Sequence, residues 1–572
     1  MDLVLCTMCF GGCYLGQIRD LDFPMRYRRA MKERICFDGA LPSRKRETRL
    51  SRLEKSRKKL ELLRSKTQSG LQRLSGPSDR CAIILGNVLR SRPLPATYND
   101  LPDNPFIVPT VFEDLKYRWN RENILTAASD ILCVHSVELE GFPWAGITEM
   151  VPGEADAYCA STAKHTSCSI LTNDTDLLLY DLGPQGSVIF LDSIEIVGGN
   201  PHTPEEWQIK AMRLSPGLVA QRLGIPNILR FAFEIKSHPD AGIAELVKRA
   251  NSSYEDRAHA LGYQDFVQEY QDDLDSLKAG NLQFLPHFDA RVSELFWQYE
   301  LRQTHISLET PHVYLAILNE DHARRCAWVQ GRLYRNLAYS VLNASRPASE
   351  RVDSINEFVR RGGRIAVDKI DLGNENWIMS EVGVLLARLK SIQHEIGVNT
   401  TSPAYWIMFA LCELDGSASN CIFSDSARLS RFLTLGHMDE RFDWRDIHLT
   451  AQIQAVLYSL RILGQLLRLS MVAHGSMMEL RSMLSDLPSL HVIMGPTASL
   501  MEKTLNGGAS VNEFVHQSIQ LLGKRSCSES ADHMEPTPPL PPLAPQGYDS
   551  RVGNGKPLCG KTDNMYDILP ME

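Results

Sequence analysis

The sequence predicts an α/β fold, with a mostly parallel sheet and helices on both faces, followed by a mainly α-helical C-terminal region and a disordered tail. Between residues 33 and 255, short apolar runs of strand composition alternate with segments of helical spacing. This alternation is typical of a parallel sheet covered by helices. Residues 290–525 keep mainly the helical spacing, which indicates helix packing. The last fifty residues contain a Ser/Pro-rich segment that cannot form a packed core.

Composition excludes several classes of protein. The chain has 572 residues, of which 43% are hydrophobic, so it can form two or three domains with substantial cores. Its thirteen cysteines are an odd number spread over a long chain, which favours free thiols and a reducing compartment over a disulfide framework. The sequence has no run of eighteen apolar residues and no basic leader ahead of its first apolar stretch. We therefore expect a soluble intracellular protein that does not enter a membrane.

The first candidate site residue follows a short predicted strand. The segment ERICFDGALPSRK, residues 33–45, is expected to form a strand that ends at Asp38 and Gly39, followed by a turn that contains proline. Open α/β sheets bind ligands beyond the carboxyl ends of their strands, which is where Asp38 would lie.

The next segment, residues 44–66, is strongly basic, with eleven Lys or Arg and three Glu. Leucines at helical intervals predict an amphipathic helix with a thin apolar stripe. Such a helix is often only a solvated surface or a nuclear-localisation patch. Beside an acidic cleft it would instead bind phosphate groups with salt-sensitive affinity. Beyond it, residues 77–110 are expected to form a loop, and a helix is expected at about residues 112–130.

Two pairs of carboxylates flank a predicted helix and strand. Glu154 and Asp156 open a helix behind Pro152 and Gly153, and Asp174 and Asp176 follow the strand-like run CSILTN. In an extended segment, residues two positions apart face the same side. Four carboxylates that meet at one point would repel one another unless cations joined them, and Mg²⁺ prefers such oxygen ligands. The pattern indicates metal-dependent phosphodiester chemistry, although acidic helix starts and an Asn-Asp-Thr-Asp loop are also ordinary structural features.

A family resemblance favours the functional interpretation. The strings GEADAYCA and ILTNDTDLLLY, and the string FDGALP before them, resemble motifs of the flap endonuclease and XPG superfamily of PIN-like nucleases, most closely its fungal Asteroid branch. The resemblance implies hydrolysis of branched or flapped DNA with two Mg²⁺ or Mn²⁺ ions, and RNA is an alternative substrate. It implies that the metal ligands are Asp38, Glu154, Asp156, Asp174 and Asp176. It also implies that Lys45 and Arg52, in the region of the family's helical arch, act on the scissile phosphate.

The sequence departs from this family at two places. KSHPDAG, residues 236–242, stands where the family has a Gly-x-Asp-Tyr ligand motif, so that ligand is missing or is replaced by His238 or Asp240. The first thirty residues also lack the family's strand followed by Asp-Gly. Either the chain is a shortened form or a ligand has been lost. The alternative function is therefore a catalytically degenerate nuclease fold that binds nucleic acid or acts as a scaffold in post-transcriptional regulation.

These observations predict four regions. They are an atypical N-terminus at 1–32, a nuclease domain at 33–260, a helical domain at 290–525 and a disordered tail at 526–572. Protein partners are expected at the helical domain and the proline-rich tail. Of the intracellular compartments, the nucleus is favoured over the cytoplasm, and DNA repair is the process that the resemblance implies.

Overall fold

A computed structural model provides the structure of the protein. It describes residues 3–6, 33–42, 45–68, 71–72, 102–123, 141, 144–197, 208–252, 257–270, 288–300, 310–415, 426–435, 441–469, 475–494, 516 and 519–520. Most of the predicted loop at 77–110 and the whole predicted tail at 526–572 lie outside these residues.

The amino-terminal elements run from β1 to α7. They are β1 (Leu3–Cys6), β2 (Glu33–Asp38), α1 (Arg46–Lys66), β3 (Leu71–Gln72), α2 (Ile107–Glu113), β4 (Thr148–Val151), α3 (Ala155–Thr166), β5 (Ser169–Thr172), β6 (Ser187–Phe190), β7 (Glu195–Val197), β8 (Gln208–Lys210), β9 (Arg213–Leu214), α4 (Pro216–Leu223), α5 (Ile228–Ser237), α6 (Ile243–Asn251) and α7 (Arg257–Gln268).

The following elements run from α8 to α15. They are α8 (Ala290–Glu300), β10 (His312–Tyr314), α9 (Arg332–Ala344), β11 (Ser354–Arg361), β12 (Arg364–Asp371), α10 (Glu375–Ile396), α11 (Pro403–Asp415), α12 (Ser426–Leu435), β13 (Arg441–Phe442), α13 (Trp444–Leu466), α14 (Gly475–Leu484) and α15 (Leu490–Ile493). None of the described helices is both long enough and apolar enough to span a lipid bilayer.

The principal sheet has the strand order β4-β2-β1-β5-β6-β9. The four pairings from β4 to β6 are parallel, and β9 pairs with β6 in the antiparallel direction. Parallel strands end at the same edge of a sheet, so β2, β4 and β5 all deliver the chain to one side. The predicted α/β class is confirmed.

Side chains of β2 point alternately to the two faces of this sheet and contribute to a hydrophobic core on each. Ile35 and Phe37 pack on one face with Val111 and other residues of α2. Cys36 points the opposite way and packs with α3 residues such as Ala155. Successive side chains of a strand point to opposite faces, so a fully apolar strand requires a helix on each side.

A second sheet belongs to the C-terminal part of the chain. It has the order β10-β11-β12, with β10 parallel and β12 antiparallel to β11. Helices α9, α10, α11 and α13 contribute to a large core around Trp328 and Trp406. Phe106, just before α2, is also buried in that core, so residues from both predicted domains pack together.

The basic segment forms helix α1, in agreement with the predicted helix at 44–66. Leu60 is completely buried in a small cluster with Ile317 and Trp444. The guanidinium group of Arg64 donates to Asp321 Oδ1 at 3.2 Å and lies over the Trp444 ring at 5.2 Å. The leucine stripe is therefore covered by the C-terminal part of the chain, which fixes the orientation of α1.

Several predicted elements differ from the structure. The helix expected at 112–130 is α2 followed by a π-helical turn, Asp114–Arg118. The region 205–255, expected to be helical, also contains β8 and β9. Asp174 has the expected extended backbone, but the extended conformation expected for Asp176 is wrong, because a 3-10 helix occupies Thr175–Leu179. Asp174 caps that helix by accepting a hydrogen bond from Asp176 N–H at 2.9 Å, a local bond that competes with strand geometry.

The burial of Leu60 leads to a stability prediction. Leu60→Ala should lower the free energy of unfolding by about 2 to 4 kcal/mol, because it removes buried methyl groups and leaves a cavity between α1 and Trp444. Urea denaturation measures this change. Leu62→Ala is the matched control on the same helix, since Leu62 is 43% exposed. Equal destabilisation by both variants would contradict the observed docking of α1.

Candidate functional site

Two turns at the carboxyl edge of the sheet lie unusually close together. Gly39 N–H donates to the carbonyl of Gly153 at 3.1 Å. A Cβ atom built on Gly39 would lie 1.8 Å from the carbonyl oxygen of Val151, so only glycine fits. The close contact brings Asp38, at the end of β2, beside the turn that leads from β4 into α3.

Asp38 caps helix α3 across this contact. Its Oδ1 accepts a hydrogen bond from Ala155 N–H at 2.7 Å, whereas Glu154, the residue before the helix, makes no capping bond with its side chain. Burial raises the pKa of Asp38 to about 6, the Ala155 hydrogen bond opposes this shift, and the nearby charge of Glu154 adds to it. Asp38 is therefore ionised at neutral pH, and its buried charge lowers the free energy of unfolding.

Lys45, immediately before α1, provides the positive charge of this group. Its ammonium forms an ion pair with Glu154, whose side chain is almost fully buried. Burial alone would lower the pKa of Lys45, but the bond to Glu154 and the charges of Asp156 and Asp38 raise it overall. The structure thus gathers Asp38, Glu154 and Asp156 around one lysine.

Asp174 and Asp176 lie on the neighbouring part of the same edge, after β5. Asp176 is exposed at the surface. Partial burial of its carboxyl group and then the charge of Asp174 raise its pKa to about 6. The positive charges of Lys45 and Lys236 both oppose this rise in the pKa of Asp176. Tyr270 also lies nearby: burial raises its pKa, and the charges of Asp176, Asp174 and Asp156 raise it further.

The two basic residues predicted to be catalytic occupy different positions. Lys45 lies among the carboxylates, whereas Arg52 is exposed on α1. They are seven positions apart, about 10 Å along the helix axis. Between them, Arg49 donates two hydrogen bonds to the Glu294 carboxylate, at 3.1 and 3.0 Å, and so attaches the first turns of α1 to α8.

The predicted replacement ligands lie in another environment. His238 Nδ1 is 3.3 Å from Glu234 Oε2, and its Nε2 is 3.3 Å from a guanidinium nitrogen of Arg249. Asp240 is exposed in the following turn. Lys236, in the same KSHPDAG string, is the residue whose positive charge opposes the rise in the pKa of Asp176.

The five predicted ligands are oxygen donors, the kind that a hard divalent cation prefers. Their placement is less favourable. Within the described residues, no three carboxylate, imidazole or thiolate groups are arranged to hold a common metal ion. Glu154 and Asp38 instead bind the Lys45 ammonium and the Ala155 N–H. The donor set fits Mg²⁺ or Mn²⁺ in its chemistry, and the ligand roles stay predictions.

Sequence reasoning missed Lys236 and Tyr270. Lys236 belongs to helix α5 and Tyr270 lies in the turn after α7, far along the chain from both acidic pairs. No local motif marks them. Their proximity to Asp176 depends on how these helices pack beside the edge of the sheet.

One comparison with known proteins gives a match. Residues 103–372 match the family model described as XPG domain containing. This match supports the XPG/PIN-like nuclease superfamily. It indicates a nuclease-fold protein, and the Asteroid branch stays a prediction. The matched range includes both acidic pairs and Lys236, and it begins after Asp38 and α1. No curated protein and no solved structure matches the chain.

The raised pKa of Asp38 leads to a pH-dependent prediction for protein kept in EDTA. An unfolded aspartate titrates near pH 4, and Asp38 titrates at about 6. In that interval the folded state retains a proton that the unfolded chain has lost, so stability falls as pH rises. Asp38→Asn should therefore be more stable than the wild type at pH 7.5, by about 1 to 3 kcal/mol, and the advantage should disappear toward pH 4.

Denaturant unfolding at a series of pH values measures this difference. Asp181→Asn is the control, because the ion pair with Lys164 lowers the pKa of Asp181. That control should show no stabilisation at pH 7.5. A constant difference between Asp38→Asn and the wild type from pH 4 to 7.5 would contradict the prediction.

Proposed function

We propose that the protein is a structure-specific endonuclease of the Asteroid type, which hydrolyses phosphodiester bonds in branched or flapped DNA. The observation that carries this proposal is the convergence of Asp38, Glu154 and Asp156 around Lys45. Asp174 and Asp176 follow β5, which is separated from β2 by β1 in the sheet, and so lie along the same edge. The match to an XPG domain over residues 103–372 supports the same reaction class.

The carboxylates are proposed to hold two Mg²⁺ or Mn²⁺ ions. When bound, such ions supply an activated water and stabilise charge on the leaving oxygen. Glu154 can contribute only if Lys45 releases it, because the ammonium and a divalent cation compete for the same carboxylate. Lys45 would then be available for a substrate phosphate, where a positive charge stabilises the charge that develops.

Helix α1 offers a path for the rest of the substrate. With its apolar stripe buried, the helix carries Arg52, Lys55, Lys59 and Lys66 along one side at helical spacing. Lys59 lies 3.4 Å from Asp103, and the helix has 21 residues, a length of about 30 Å. A phosphate backbone that follows this side would reach Lys45 at its end.

This path predicts salt-dependent binding. Arg52→Ala combined with Lys55→Ala should weaken binding to flapped DNA and reduce the slope of log affinity against log salt by about 1 to 2, since each lost phosphate contact removes about 0.9. Fluorescence anisotropy at several salt concentrations measures it. Lys248→Ala with Lys390→Ala, two lysines on α6 and α10, is the charge-matched control. An unchanged slope in the α1 variant would exclude this face of the helix.

Cleavage tests the reaction itself. The full chain should cut a labelled flap substrate with Mg²⁺ or Mn²⁺, and Asp174→Ala with Asp176→Ala should abolish cutting. Asp181→Ala with Asp265→Ala removes the same charge from exposed positions and should leave cleavage intact. Mn²⁺ should also raise the melting temperature of the wild type more than that of the Asp174/Asp176 variant. Cleavage that survives in this variant would exclude these two residues.

A second function has its own supporting observation. Lys45 and Lys236 both place positive charge beside the carboxylates, where active metal ions would otherwise supply it. A degenerate nuclease fold that binds nucleic acid, or serves as a post-transcriptional scaffold, would keep such internal counterions. Salt-dependent binding without cleavage in either metal, unaffected by loss of Asp174 and Asp176, would identify this function. A nuclear location and a role in DNA repair are further parts of the nuclease proposal.

A further inference from the structure

A cavity lies away from the carboxylate edge. It has a volume of about 710 Å³ and lies between the π-helical turn after α2, the end of α13 and helix α14. Its lining includes Glu113, Tyr117, Arg461, Arg468, Met478 and Arg481. Small-molecule sites commonly have volumes of about 300 to 1,000 Å³. None of its lining residues belongs to the carboxylate site.

The charge of this cavity is opposite to that of the protein. Its lining carries three arginines and one glutamate, a net of +2, in a chain of net charge −8. Arg461 is held by Glu113 at 2.7 Å, and the other oxygen of Glu113 accepts the Leu490 N–H at 2.8 Å. The Nε atom of Arg461 is buried and has no hydrogen-bond partner in the described part of the chain.

The other two arginines are exposed at the cavity and have more freedom. Arg468 and Arg481 make no side-chain hydrogen bond or ion pair with any other residue that the structure describes. Guanidinium groups bind phosphate oxygens through paired N–H donors. Two such groups line this cavity together with Arg461, and their donors suit the oxygens of a phosphorylated ligand.

The cavity also has an apolar part. Tyr117 and Met478 are 53% and 61% exposed, although both are large hydrophobic side chains. Burial of the Tyr117 hydroxyl raises its pKa, and the charges of Arg468 and Arg461 oppose that shift, which places the ring beside the cationic groups. Tyr117 belongs to the π-helical turn, and π-helical turns often occur at functional sites. An exposed ring and a thioether together suit a planar base.

We propose that this cavity binds a nucleoside phosphate, with the phosphates on Arg468 and Arg481 and the base against Tyr117 and Met478. The ligand is either a free nucleotide or the phosphorylated end of a nucleic acid strand, since both present the same groups. An inorganic anion would use the arginines and leave the apolar surface exposed. The proposal does not depend on the nuclease activity.

Isothermal titration of the full chain with ADP, pyrophosphate and a 5′-phosphorylated tetranucleotide, at fixed salt and in EDTA, tests the site. ADP or the tetranucleotide should bind, and Arg468→Ala with Arg481→Ala should weaken that binding about ten-fold or more, because each charge-assisted hydrogen bond lost contributes about a factor of ten. Tyr117→Leu should weaken ADP binding and leave pyrophosphate binding unchanged. Stronger binding of the tetranucleotide than of ADP would assign the site to a strand end, and the reverse to a free nucleotide.

Arg364→Ala with Arg445→Ala is the matched control, because both arginines are exposed and neither lines the cavity. Melting temperatures of all variants establish that they are folded, and Arg468→Lys with Arg481→Lys should retain part of the affinity. Failure of all three probes to bind at millimolar concentration would overturn the proposal. Pyrophosphate binding equal to that of ADP would overturn the nucleoside part, and equal losses in the control would overturn the assignment to these arginines.

Discussion

The contact between two turns, one after β2 and one after β4, is the constraint on which the candidate site depends. Gly39 fits against the Val151 carbonyl only because it lacks a Cβ. Its N–H, bonded to Gly153, aligns the ends of two neighbouring parallel strands. Asp38 can then cap the helix that begins beside Glu154. A larger side chain at position 39 would push the two backbone segments apart and so separate Asp38 from Glu154. A change of side-chain rotamer could not restore their positions.

Helix α1 extends this constraint to the rest of the protein. Its first turns are tied to α8 through Arg49 and Glu294, and its last turns to Trp444. Lys45 precedes the helix directly, so the position of this ammonium depends on contacts made at both ends of α1. The C-terminal part of the chain thus helps to position a charge at the amino-terminal site, although it contributes none of the predicted ligands.

Local sequence signals were sufficient for some of these features. The strand ending at Asp38, the helix that starts after Glu154 and the helix at 46–66 depend on glycine, proline and apolar spacing, which act over a few residues. The conformation after Asp174 was predicted incorrectly because a side-chain cap replaced the extended backbone. Lys236, Tyr270 and the arginine-lined cavity could not be predicted, because each depends on packing between elements far apart in sequence.

The balance of charge at the sheet edge separates the two functions in physical terms. A buried carboxylate such as Glu154 needs a counterion, and removal of one partner from a buried ion pair commonly costs about 3 to 5 kcal/mol. Lys45 is the counterion of Glu154 in this structure. A divalent cation must therefore stabilise this carboxylate more strongly than the ammonium does. Burial is the main cause of the raised pKa values of Asp38 and Asp176, about 6 for each, and the charges of Glu154 and Asp174 add to it. The nuclease function therefore requires two ions that stabilise these desolvated carboxylates and displace Lys45 from Glu154, whereas the degenerate fold requires only that the Lys45–Glu154 ion pair persists.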